Sequence, residues 1–173
     1  NIRDSIKGGT FNPYDKGFVS GNRNAASTLR RGIAGSVPHY QINDAKEACW
    51  AFEPTQAVNY CEAHDNNTLW DKLCISAKND SEGVRIKMDK LAAAIVILSQ
   101  GMPFIQLGQD FLRSKPRILK EGEAPNDVNI YSHDSYNAPD YTNSIKWNRK
   151  LEYKEVFEYY KALIRLRKGS PLF

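Results

Sequence analysis

The sequence predicts an α/β fold in which parallel strands are flanked by helices. Three observations predict it. Two short apolar runs rich in β-favouring residues, Ala57 to Cys61 and Pro103 to Leu107, are separated by a long helix-forming stretch. A second helical pattern follows the second run. A polar loop leaves each run at its C-terminal end. The resulting order is βαβα, and strands joined through helices in this way lie parallel.

Taken in order, residues 1–36 are rich in Gly, Asn, Ser and Arg and read as loops with short helical pieces. Ala57-Val58-Asn59-Tyr60-Cys61 suits a buried strand, expected to run from Ala57 to Glu62. Glu62 to Asn67 is polar and turn-like. Asn67-Thr68 can cap a short helix through Leu73, with Leu69, Trp70 and Leu73 on its apolar side. Asn79-Asp80-Ser81 offers a second helix start, and Glu82 to Gln100 has good helix formers with Gly101 as a stop. The second strand is expected from Phe104 to Leu107, beside and parallel to the first. Arg113 to Asn148 is a long polar stretch containing Pro116, Pro125 and Pro139, and such a loop in a compact domain is usually functional or mobile. A last helix is expected from about Glu152 to Lys168, with Val156, Tyr160, Leu163 and Arg167 on one face and Gly169 at its end.

Composition bounds the chemistry. The 173 residues are 41% hydrophobic and 25% charged, enough for one modest core. The net charge is +4 with no dense Lys/Arg block, which gives no footprint for nucleic acid. Cys49, Cys61 and Cys74 are odd in number and lack C-x-x-C spacing, so they form neither a zinc pattern nor a disulfide framework. No apolar run reaches the roughly 18 residues a membrane span needs. Asn1 is not a start methionine, and Pro171-Leu172-Phe173 stops just after the last helix. The chain is therefore expected to be part of something longer at both ends. A soluble protein is expected, cytoplasmic or secreted.

In parallel αβ barrels, chemistry sits on the loops after the strand C-termini. His64-Asp65-Asn66 lies at one such end. Read alone, a His-Asp pair can bind a metal, orient a base or cap a turn. Trp70 follows within a turn of helix, and a carboxylate, an imidazole and an aromatic plate suit a sugar ring. One carboxylate does not suffice for glycoside hydrolysis, which usually takes two. Asp110 follows the second strand, where a structural loop role serves equally well. Tyr136-Asn137 and Asp140 form a second polar cluster, which is either a turn built on Asn, Pro and Asp or part of a site. His39 and His133 have no companions in sequence and read as loop histidines.

At this point a resemblance enters. The stretch Val58-Asn59-Tyr60-Cys61-Glu62-Ala63-His64-Asp65-Asn66-Asn67-Thr68-Leu69-Trp70 resembles the last signature region of the type I pullulanases, in the α-amylase superfamily. Further stretches resemble that family in order: Gly17 to Gly21, Arg85 to Asp89, Ser99 to Phe104, Gly108 to Lys115, Ser135 to Asp140, and the closing Leu163 to Arg167. The resemblance covers nearly the whole chain. It implies one segment, residues 1–173, forming the C-terminal portion of a (β/α)8 catalytic barrel truncated at both ends. It also implies hydrolysis of α-1,6 branch linkages in pullulan, starch or glycogen, with no cofactor and no metal. The partners it implies are an α-glucan and the remainder of the barrel. By this resemblance Asp65 is the transition-state-stabilising Asp, His64 a ligand of the sugar being cleaved, and Asn66 a substrate contact. Trp70, Tyr136, Asn137 and Asp140 are further candidates for substrate binding. The nucleophile and acid/base of the family fall before Asn1, so the isolated chain is expected to be inactive. Arg117 to Ser132 reads as an insertion relative to the shorter family loop. Gln109-Asp110 stands where many relatives have an acidic pair, and neither residue is assigned a role. Two other readings stay open: a non-catalytic α-glucan-binding segment, and a barrel relative acting on another linkage, isoamylase-like or branching.

The role of Asp65 also has a physical basis. Glycoside cleavage passes through an oxocarbenium-like state, so positive charge grows on the ring. A fixed carboxylate that binds the flattening sugar more strongly gives differential binding of the transition state.

Overall fold

The computed structural model describes residues 2–42 and 49–173. Seven α-helices run through the described residues, besides short 3-10 turns: α1 (Ile2–Lys7), α2 (Ala26–Ile33), α3 (Leu69–Ser76), α4 (Glu82–Leu98), α5 (Asp140–Asn143), α6 (Arg149–Glu152) and α7 (Lys154–Gly169). Two strands, β1 (Val58–Asn59) and β2 (Met102–Pro103), make the single sheet among the described residues. The architecture is thus mixed helix and sheet.

The strands pair in parallel, with Val58 opposite Met102 and Asn59 opposite Pro103. The expected neighbours are therefore neighbours, but both strands are shorter than expected and the second begins earlier. The N–H groups of Met102 and Phe104 donate to the carbonyls of Ala57 and Asn59, each at 2.8 Å. Pro103, between them, has no N–H to offer, and the slanted parallel ladder asks for none there. Of Phe104 to Leu107, the predicted strand, the Phe104 N–H closes the ladder and the rest is irregular chain. Beyond Phe104 the apolar residues carry a β pattern without a paired strand among the described residues.

Gly101 makes the close pairing possible. It sits at φ +100°, and a Cβ there would fall 2.7 Å from the carbonyl oxygen of Ala57 and 2.8 Å from that of Pro54. Only glycine meets both conditions.

The core has two parts, divided by α4. Ala92 and Val96 on one side pack with Ile6, Leu29, Leu69 and Leu73. Ala93 and Ile97 on the other pack with Trp70, Leu112, Val156, Tyr160 and Leu163. A helix covered on two sides must be apolar most of the way round, which explains the run Leu91 to Leu98. The helix is capped by Ser81, whose side chain accepts from Val84 N, and it ends at Leu98, before the predicted Gln100. α7 lays Val156, Tyr160 and Leu163 on the core as its periodicity predicts. Arg167, expected on that face, meets the C-terminal end of α4 and donates to the carbonyls of Ile97, Ser99 and Gly101 at 2.6, 2.7 and 2.5 Å. It satisfies the open C-terminal carbonyl end of α4 and the turn into β2.

Residues 117–132, the apparent insertion, close on themselves. Arg117 N donates to Ile130 O, and Ser132 N to Lys115 O, both at 2.8 Å, so the loop leaves and returns at one neck. Inside it, Arg117 holds Glu123 through both guanidinium nitrogens at 2.6 and 2.9 Å. That pairing pushes the Glu123 carboxyl down to about 2. No helix among the described residues is long and apolar enough to cross a membrane.

Candidate functional site

The site begins with the turn between β1 and α3. Thr68 caps α3, its hydroxyl accepting from Asp71 N at 3.1 Å. Glu62 enters the turn buried, and its Oε2 accepts the N–H of Leu69 at 2.5 Å. Two buried lysines take the carbonyls in between. Lys7 Nζ donates to Asn67 O at 3.0 Å. Lys115 Nζ donates to His64 O at 3.0 Å and to Asn66 O. Asn66 adopts φ +62°, the left-handed conformation that asparagine tolerates better than most residues. With the carbonyls drawn inward, the side chains of His64 and Asp65 stand in solvent, 85% and 78% exposed.

The electrostatics of the turn differ sharply between its two faces. Burial pushes the Glu62 carboxyl up to about 7, against the pull of its bond from Leu69 N and of Lys7. Burial likewise lowers the ammoniums of Lys7 and Lys115. On the outer face His64 Nε2 lies 3.6 Å from Asp65 Oδ1. An exposed pair at that distance contributes little to stability, so both side chains are free to engage a ligand.

An open cavity of about 260 Å³ adjoins this turn, lined by His64, Asp65, Gln106, Arg113, Ser135, Tyr136 and Asn143. Two sequence clusters that are 70 residues apart in the chain thus meet. His64 and Asp65 follow β1, and Gln106 and Arg113 follow β2, so the cavity lies beyond the C-terminal ends of both parallel strands. That is where parallel αβ folds place chemistry. Tyr136 is 89% exposed and also borders a second hollow, of about 360 Å³, together with Asn137. Asn143 supports this wall by donating to the carbonyls of Ser135 and Ala138 at 2.8 and 3.0 Å.

Trp70 lies on the apolar side of α3 as expected, but its candidacy as a substrate contact fails. It is 7% exposed and packs in the second core part beside Tyr153, with ring centroids 6.2 Å apart. As the second residue of α3 it faces the core, so it offers no plate to a sugar. Asp140 lines neither hollow; it heads the short helix α5, and its carbonyl accepts from Lys146 Nζ at 3.3 Å. Asn66 stands at the rim, its amide 3.4 Å from His133 Nε2. His133, read as companionless, therefore joins the turn, and its Nε2 also lies 3.3 Å from Thr10 O. Gln106, Arg113, Ser135 and Asn143 were not among the expected site residues; Arg113 and Ser135 fall in stretches that carry the resemblance, but nothing there tells which way either residue points. Among the described residues no group of His, Cys, Asp and Glu is placed to hold a metal ion.

Comparison with known proteins follows the same outline. No family model matches the chain. The pullulanase of Bacillus subtilis (strain 168) is 36% identical over 172 residues, covering 99% of this chain and 21% of that protein. The structure of B. subtilis pullulanase type I complexed with maltose superposes with a TM-score of 0.83 at 35% identity, over 98% of this chain and 21% of that one. The structure of Paenibacillus barengoltzii pullulanase in complex with maltohexaose and alpha-cyclodextrin gives 0.81 at 38% identity, over 98% of this chain and 24% of that one. The chain thus resembles type I pullulanases over nearly its full length, and it spans about a fifth of the length of those relatives.

Proposed function

We propose that this chain is the C-terminal portion of a (β/α)8 catalytic barrel in an α-1,6-glucan hydrolase acting on pullulan, starch or glycogen. Residues 1–173 form one segment of that barrel, and the parallel pair β1 and β2 is part of its sheet. Asp65 is the carboxylate that faces the developing charge. His64 and Asn66 contact the sugar, and Tyr136 and Asn137 extend the binding surface. The observation that carries this reading is the cavity joining His64 and Asp65 to Tyr136 beyond the strand ends. The maltose and maltohexaose held by the solved relatives have the α-linked glucose chemistry such a wall suits.

The derivation runs from charge. As the glycosidic bond stretches, the ring flattens and becomes cationic. Asp65 meets that charge with a carboxylate on a turn held at the carbonyls of His64 and Asn66, so little reorganisation accompanies the reaction. His64, one residue earlier, donates to a ring hydroxyl. Tyr136 offers its face to the apolar side of a neighbouring sugar.

The cavity holds one carboxylate, Asp65, where retaining hydrolysis needs a nucleophile and an acid/base as well. Those two groups come from outside residues 1–173, and the isolated chain binds glucan at most.

The test is reducing-sugar release from pullulan. The full-length protein releases it, and the purified 173-residue chain does not. Release by the isolated chain above a contaminant control overturns the placement of the site. A full-length protein that shortens amylose but not pullulan acts on another linkage. One that alters iodine staining of amylose without net reducing ends is a branching enzyme.

A further inference from the structure

Lys115 is 1% exposed, yet among the described residues its Nζ bonds no carboxylate. It donates to three neutral oxygens: His64 O at 3.0 Å, Asn66 O, and Ser135 Oγ at 3.2 Å. An ammonium has three N–H donors, and each has an acceptor here. Burying a cation on neutral partners is costly, and burial does lower this ammonium. A leucine or methionine would fill the same space without that cost. The acceptors explain what the charge is for.

His64 O belongs to the peptide that enters Asp65, and Asn66 O to the peptide that leaves Asn66, so the two carbonyls bracket the Asp65-Asn66 step. With both turned inward onto one ammonium, the turn is held before and after that step, and the Asp65 side chain stands outward, 78% exposed. Ser135 precedes Tyr136, on the opposite wall of the cavity. One side chain therefore ties the two walls together. Lys115 is itself anchored: its N–H donates to Asp71 Oδ2 at 2.8 Å, and Ser114 Oγ donates to Asp71 Oδ1 at 2.5 Å. Asp71 sits in the first turn of α3, so the clamp is referred to the core.

We infer that Lys115 is a positioning residue, whose ammonium fixes Asp65 and Tyr136 relative to one another across the cavity. The inference rests on the proposal that Asp65 faces the transition state. It adds a residue that never touches substrate.

A double-mutant cycle in the full-length protein tests it, read as kcat/KM on pullulan beside a melting curve for each variant. Lys115→Met keeps the length of the side chain and removes all three donors. Acting through Asp65, it should lower kcat/KM by about 100-fold in the parent but by less than about 3-fold in an Asp65→Asn background, where the carboxylate it positions is gone. Equal losses in both backgrounds would mean a merely structural lysine and would overturn the inference. Should Lys115→Met not fold, Ser135→Ala removes one acceptor only. It should give a loss of about 3-fold or more with the same dependence on Asp65, and an additive effect again overturns the inference. An Asp65→Asn protein as active as the parent would instead sink the proposed function itself, whichever way the lysine behaves.

Discussion

The backbone N–H of Leu69 donates to Glu62 Oε2 at 2.5 Å, in the buried layer directly behind the exposed His64-Asp65 pair. The other carboxyl oxygen of Glu62, Oε1, is buried with no hydrogen-bond partner among the described residues. The carboxyl is held at about 7 against an ordinary 4.5, mainly by burial. A group whose folded value lies above its unfolded one contributes its full stability below the unfolded value and loses it as pH rises through the folded one. Stability should therefore fall by on the order of 3 kcal/mol from this group between pH 4.5 and pH 7. Glu62→Gln keeps the acceptor for Leu69 and removes the titration. In urea unfolding the variant should match the parent near pH 4.5 and exceed it above pH 7. Parallel curves across that range would show that Glu62 titrates as an ordinary exposed acid.

Two aromatic residues of the sequence separate by burial. Trp70→Ala should cost about 3–5 kcal/mol, because a large side chain leaves the packed second core part. Tyr136→Ala should shift stability by less than about 0.5 kcal/mol. On pullulan it should raise KM about 5-fold with kcat little changed, as expected for a stacking contact made in ground and transition states alike. Melting curves and steady-state kinetics distinguish the two. A Tyr136→Ala enzyme with unchanged KM would remove the aromatic wall from the site.

Gly101→Ala should destabilise by about 2 kcal/mol or more, since φ +100° is strained for any L side chain and the new Cβ would meet two backbone carbonyls. Arg167 donates to Gly101 O, so movement there also disturbs the end of α4. The midpoint in urea should drop with its slope unchanged. A midpoint equal to the parent's would mean the β1–β2 pairing tolerates an outward shift of the turn.

The parts of this molecule that were legible in the sequence are those fixed by local chemistry. Thr68 and Ser81 announce their helices because a hydroxyl oxygen satisfies an orphan N–H at the first turn. Val156, Tyr160 and Leu163 recur at helical spacing and do face the core. The parallel neighbourhood of β1 and β2 follows from their order. Strand length did not, because a ladder depends on what lies alongside; past Phe104, whose N–H bonds Asn59 O, the segment to Leu107 has the pattern but no paired strand among the described residues. Trp70 was read correctly as lying on the apolar side of α3, and that burial is what removes it from the list of sugar contacts. Nearness to Asp65 in sequence did not bring it into the cavity. Lys115 was invisible as a clamp, since its three acceptors lie 51, 49 and 20 residues away.

In the proposed function Asp65 carries the link between this chain and catalysis, and its exposure makes that link testable. The side chain is 78% exposed, and the turn around it is held by carbonyls and by Glu62 rather than by its own carboxylate. Removing the charge should therefore leave the fold intact. Asp65→Asn in the full-length protein should melt within about 2 °C of the parent, as surface substitutions do. Its kcat on pullulan should fall by about 30- to 1000-fold, the effect of losing 2–4 kcal/mol of transition-state stabilisation. The asparagine keeps the shape and some hydrogen bonding, so KM should change little. His64→Ala differs in kind: the proposed contact with a sugar hydroxyl would exist partly in the ground state, so both KM and kcat should worsen. An Asp that merely built the turn would show the reverse pattern, a lower melting point with kcat within a few-fold of the parent. A stable Asp65→Asn enzyme with near-normal kcat would take Asp65 out of the site, and the cavity between it and Tyr136 would lose its claim to the chemistry.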